Sequence, residues 1–158
     1  MGFRSHSGLA GSLLLKYHPG LIPKKYRNLR HILALSGYAL WDLKRQGIPA
    51  RLFSDLCPFS SLQKFHRELS ELFDSCCYDQ IESPLSYSQL FKNHLCWEVQ
   101  TAYFVLRVLD SVVKRFRIRR IIVDPLPIPA GKRYSKNINE LIALYCQHRE
   151  IAFEKYKN

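Results

Sequence analysis

The sequence predicts an α/β fold: a small sheet covered by helices, with a C-terminal helix-strand-helix-strand unit and a basic N-terminal arm. Three observations carry this. A helical periodicity runs unbroken from Leu95 to Phe116. Two short apolar runs, Ile121–Val123 and Ile151–Phe153, follow it with a second helical pattern between them. Apolar residues make up 47% of the 158, enough for the core of one domain.

Taken in order, residues 1–30 hold Gly, Pro and basic residues without clear periodicity and read as an arm, leaving residues 31–158 as a single α/β domain. "HILALSGYALWDLKRQG" admits two readings. Ile32, Leu35, Ala39 and Leu43 follow helical spacing with Gly47 as a stop, whereas Gly37 permits a strand and a turn. "IPARLF" reads as a short strand. From Ser61, the positions Leu62, Phe65, Leu69, Leu72, Phe73 and Cys76 make one face of an amphipathic helix.

In the next helix Leu95, Val99, Ala102, Leu106, Leu109, Val113 and Phe116 step by four and three, burying one face over about six turns. Lys114 and Arg115 in its last turn suit the negative end of the helix dipole. "RRIIVD" follows as a buried strand, then a loop stiffened by Pro125, Pro127 and Pro129. Asn137 with Glu140 forms a capping box, and Ile138, Leu141, Ile142 and Tyr145 give the face of the last helix. "IAF" closes as a strand, so the crossover rule makes this end a right-handed strand-helix-strand unit.

Charge is strongly segregated. The net charge is +11, of which residues 1–41 supply +6 without one Asp or Glu and residues 112–137 supply +7. Between them, residues 42–111 carry −2, and residues 138–158 balance. A solvated surface mixes its signs; segregation of this kind suits a polyanion. The candidate RNA contacts are therefore Lys24, Lys25, Arg27 and Arg30 in the arm, and Lys114, Arg115, Arg117, Arg119, Arg120, Lys132, Arg133, Tyr134 and Lys136 in the later patch. Arginine makes bidentate phosphate contacts, and Tyr134 offers a ring to stack on a base.

The five cysteines form an odd set without a CxxC pair and read as reduced, mostly buried thiols, with no zinc site. No 18-residue apolar run exists, so neither a transmembrane span nor a membrane partner is expected. The first 18 residues, basic and acid-free, resemble an organelle transit peptide.

Three other readings compete. Asp124 and Glu154 end or follow neighbouring expected strands, as the metal-holding carboxylates of ribonuclease-H-like nucleases do, but "ILALS" supplies no third. "GIPARLFSDLCPFSSLQKFHREL" permits a helix-turn-helix of a transposase-related DNA reader, though its second helix is nearly neutral. A glycosyltransferase-like fragment comes third.

From Ala102 to Phe153, "AYFVLRVLDSVVKRFRIRRIIVD", "GKRY", "INELIALYCQHRE" and "IAF" resemble the C-terminal part of the large-subunit ribosomal protein family that binds 5S rRNA (universal large-subunit protein eighteen). Asp124, Arg133 and Tyr134 match positions of that family; its aromatic-His-Gly-Arg motif is absent. The resemblance implies a structural, non-catalytic protein of the mitochondrial large subunit, with a cytoplasmic ribosome as the alternative. Its partners would be ribosomal RNA and neighbouring ribosomal proteins, with no cofactor, metal or small-molecule substrate.

Overall fold

Three leucines in succession, Leu13, Leu14 and Leu15, are wholly enclosed. Adjacent strand residues point to opposite faces, so this requires a strand covered on both sides. In the computed structural model, which describes residues 9–56, 59–76, 87–124 and 134–156, that strand is the centre of the molecule.

The elements run β1 (Ser12–Lys16), β2 (His31–Ala34), α1 (Gly37–Arg45), β3 (Arg51–Leu52), α2 (Phe59–Cys76), α3 (Tyr87–Phe116), β4 (Arg120–Val123), α4 (Tyr134–His148) and β5 (Ala152–Lys155). The five strands form one parallel sheet in the order β3-β2-β1-β4-β5. Leu14 lies beside Ile32 and Ile122, and Leu15 beside Leu33 and Val123.

Alternation divides the core in two. Leu13, Leu15, Ile121 and Val123 pack with Val105, Val108, Leu109 and Val112 of α3 and with Ile142, Tyr145 and Cys146 of α4. Leu14, Ile32, Ala34 and Ile122 pack on the other side with Ile22, Tyr26 and Leu29 of the β1–β2 connection and Ala39 and Leu43 of α1. Each enclosed leucine or isoleucine contributes roughly 1.5–3 kcal/mol through removal of its surface from water.

The helices end alike. Arg117 after α3 and Glu150 after α4 take the left-handed conformation, φ 51° and 55°, as Gly47 does after α1 at 69°. The next amide then reaches back over the last turn: Ile118 N–H to Val113 C=O, Ile151 to Cys146 and Ile48 to Leu43, at 3.1, 2.8 and 3.0 Å. The apolar residue delivered each time (Ile118, Ile151, Ile48) packs into or against the core.

The structure corrects the expected arm. The arm's described part is not an appendage: Ser12–Lys16 is the central strand and Ile22, Tyr26 and Leu29 belong to the core. The domain therefore includes this segment, because the sheet has no middle without it. Residues 31–47 are both things in turn, strand β2 and then helix α1, divided at Ser36, whose hydroxyl accepts from the Ala39 amide at 3.2 Å. Helix α3 extends back to Tyr87, and α4 begins at Tyr134, before the Asn137 expected to cap it.

Candidate nucleic-acid interface

In a parallel sheet every strand starts at the same edge, and each helix that crosses back ends there. Arg30 precedes β2, Arg51 opens β3, and Arg119 and Arg120 introduce β4, so all four reach the amino edge. Helix α3 delivers Lys114, Arg115 and Arg117 to that edge, α1 delivers Lys44 and Arg45, and α4 delivers Arg149.

Helix dipoles explain part of this. Three helix C-termini present roughly half a negative charge each, 1.5 charges in sum. Asp110 and Glu150 add two more, with Asp110 meeting Lys114 at 2.6 Å and Arg149 at 2.8 Å. Lys114 is chiefly what holds the Asp110 carboxyl below the usual range. Against the ten basic side chains just named, this leaves an excess of roughly six positive charges. Arg30, Arg51, Arg115, Arg117, Arg119 and Arg120 meet no carboxylate among the described residues.

The backbone fixes these arginines. Gly11, at φ 74°, turns its carbonyl to the amides of Arg119 and Arg120 at 2.8 and 3.3 Å. A side chain at Gly11 would stand 3.2 Å from the Arg117 carbonyl oxygen, a close approach that favours glycine.

Lys24 and Lys25, on a 3₁₀ turn, line a cavity beside the start of β1. Lys25 also lies 3.6 Å from Glu154 and over the Tyr26 ring. Arg27 is held inward, its Nε donating to the Ile22 carbonyl at 3.0 Å. Arg117 and Arg119 precede β4 and Arg120 opens it, so these three residues of the later patch stand at the amino edge. Arg120 therefore lies at the opposite end of β4 from Asp124. Lys132 and Arg133 lie outside the described residues, as do the side chains of Tyr134 and Lys136 in the first turn of α4.

The carboxyl edge is different in kind. Lys16, 1% exposed, donates to Asp124 Oδ2 at 2.9 Å and to the Tyr156 hydroxyl at 2.9 Å. The His18 amide also donates to Asp124 Oδ2, at 3.3 Å. Burial, and secondly the Asp124 charge, push the Tyr17 and Tyr156 phenols well above their usual range. Glu154 accepts from the Tyr26 hydroxyl and neighbours Lys25, so both carboxylates of the nuclease reading have partners. Among the described residues no three His, Cys, Asp or Glu side chains gather as a metal would need. Helix α2 packs on α3, with Phe65 and Tyr103 stacked at 3.6 Å.

Arg51 and Lys16 are among the features that escaped the sequence. Arg51 carried its signal in lying within the expected strand "IPARLF", since a parallel sheet gathers the residues that open its strands. Lys16 sits at the end of an apolar run, "LLLK", as a buried strand-terminal charge does.

Scans of models of known families, of curated proteins and of solved structures find no match to this chain.

Proposed function

We propose that this protein binds RNA through the amino edge of its sheet, as a structural, non-catalytic part of a ribonucleoprotein. The large subunit of an organelle ribosome is the assembly to test first. One observation carries the reading: six arginines share that edge without a carboxylate partner among the described residues. Leaving so much like charge unpaired costs stability through repulsion, and a phosphate backbone relieves it while releasing counterions. Sedimentation of tagged protein with ribosomal subunits tests the assembly.

The contact itself is tested by salt titration of RNA binding. Replacing Arg30, Arg51 and Arg115 by Gln should flatten the slope of log affinity against log salt by about 0.7–0.9 for each lost contact. A triple variant that keeps the wild-type slope and affinity overturns the reading.

A second reading rests on topology. In the order β3-β2-β1-β4-β5 the connections leaving β1 and β4 diverge, and open parallel sheets bind nucleotides at such a switch point on the carboxyl edge. Lys16 and Asp124 stand there. A nucleotide-sugar site, as in a glycosyltransferase-like unit, fits this position, although the residues after β1, Tyr17-His18-Pro19-Gly20, lack the GxGxxG fingerprint. Calorimetry with nucleoside diphosphates and nucleoside diphosphate sugars separates the readings: saturable binding unaffected by the triple Gln variant favours this one.

A further inference from the structure

The amino edge is concave as well as basic. Two cavities of about 450 Å³ each open on it. They share Arg30, His31 and Phe116. The first is completed by Arg51 and Arg115 over a floor that includes Leu13 and Leu33. The second is completed by Lys24, Lys25 and Ser12. No carboxylate lines either among the described residues.

The shared wall is aromatic. The His31 and Phe116 rings lie with centroids 4.4 Å apart, and the Arg115 guanidinium sits over the Phe116 ring at 5.3 Å. Burial and the nearby Arg30 charge depress His31's pKa, which favours a neutral ring. Ser12 is 2% exposed, and its hydroxyl, lining the second cavity, has no hydrogen-bond partner among the described residues. A buried hydroxyl left without a partner costs about 1–3 kcal/mol, so a ligand atom that satisfies it gains affinity.

We propose that these cavities take two successive nucleotides of a single RNA strand, one base stacking against the Phe116–His31 pair while Arg30, Arg51 and Arg115 hold the flanking phosphates. This rests on the RNA reading above and adds that the strand is unpaired and read through its bases. The chemistry fits. An apolar floor with an aromatic wall suits a base, which a paired helix keeps inside its own stack. The arginines ring the opening, where the phosphates must stay. A volume of about 450 Å³ is ordinary for a pocket holding one small ligand. Adjoining cavities with a shared wall suit neighbouring units of one chain better than two unrelated molecules. Ser12 then meets a ribose hydroxyl or phosphate oxygen in the second.

The test measures fluorescence anisotropy of the wild-type protein with three labelled ligands of equal charge: a single-stranded RNA decamer, the abasic ribose-phosphate decamer and a ten-nucleotide hairpin with a three-base-pair stem. The single strand should bind about ten-fold more tightly than the abasic strand. Phe116→Leu, checked for folding by circular dichroism, should remove most of that preference with the salt slope unchanged. Tight and equal binding of base-bearing and abasic strands overturns this inference and leaves the phosphate clamp standing. Preference for the hairpin also overturns it. Failure of all three ligands to bind at low salt overturns the clamp and the pocket together. The comparison of strands on the wild type decides the matter even where a variant fails to fold.

Discussion

Lys16 Nζ and Asp124 Oδ2 lie 2.9 Å apart, side chains 1% and 2% exposed, joining the ends of β1 and β4 across 108 positions of sequence. Desolvation makes such a pair a weak net source of stability, but a broken one is severe, because one charge is then left buried alone. Lys16→Met and Asp124→Ala should each destabilise the protein by about 3–5 kcal/mol, and the double variant by clearly less than their sum. Urea unfolding of the four proteins measures the coupling. Additive losses would show that the pair does not act as a unit. RNA affinity of Asp124→Asn should stay within a few-fold of wild type, since the arginine edge is at the opposite end of the sheet.

Arg117 separates stability from binding. Its left-handed φ of 51° costs an L-residue roughly 1–2 kcal/mol, which glycine avoids. Glycine's freedom in the unfolded chain offsets part of this, so Arg117→Gly should gain about 0.5–1 kcal/mol in thermal unfolding. The same change should weaken RNA binding and flatten its salt slope. Glu150→Gly, at φ 55° on the same edge, should gain similar stability and leave RNA binding equal or tighter. Opposite effects on binding from two equally stabilising changes are the signature to look for; parallel effects would disprove it.

Amide exchange reports on β1 directly. Leu13, Leu14, Leu15 and Lys16 should rank among the slowest-exchanging amides in the chain, with no RNA present. Leu14→Ala should cost about 2–5 kcal/mol, as for any enclosed leucine. Fast exchange across residues 12–16 would return this segment to the status of an arm.

Cys146, 1% exposed, has its thiol pushed up by burial from about 9 to about 11. A raised pKa in the folded state means that the unfolded chain releases this proton first. Its contribution to stability is therefore intact below about pH 9 and lost as pH rises from there towards 11. Cys146→Ala should lower stability at pH 7 by leaving a small cavity, yet lose less than wild type between pH 9 and 11. Alkylation at pH 8, mapped by mass spectrometry, should spare Cys146 until the protein unfolds.

The helices were legible because amphipathic spacing needs no knowledge of partners: Leu69 and Ile142 are enclosed on the faces that periodicity assigns, whereas in α3 the enclosed stripe, Val105, Val108, Leu109 and Val112, shares only Leu109 with the expected face. Strand β4 was legible from its β-branched run, Ile121-Ile122-Val123. Strand β1 was not. A strand covered on both faces has no alternation, so Leu13–Leu15 resembles any short apolar run, and the basic, acid-free stretch around it suggested an exposed tail. The charge of Lys16 is cancelled by an acid that the local window does not contain. For the site, composition named most of the basic residues but not their edge. Only the parallel order of strands brings Arg119 and Arg51 to one edge with Arg30. His31 and Phe116 meet across 85 positions, a contact that no spacing rule reaches.

The place of β1 between β2 and β4 sets a timetable for the newborn chain. On one side β1 pairs with β2 almost at once, Leu13 meeting His31. On the other it waits for Ile121, Ile122 and Val123. At ordinary translation speeds the 108 positions between Lys16 and Asp124 take roughly 5–20 s to synthesise. Within that interval, from the arrival of β3 to that of α3, an incomplete sheet of β1, β2 and β3 presents an unpaired edge on β1 and bare Leu13, Leu15 and Leu33. Such a half-made sheet is a natural client for a holding chaperone, and slow synthesis lengthens its exposure.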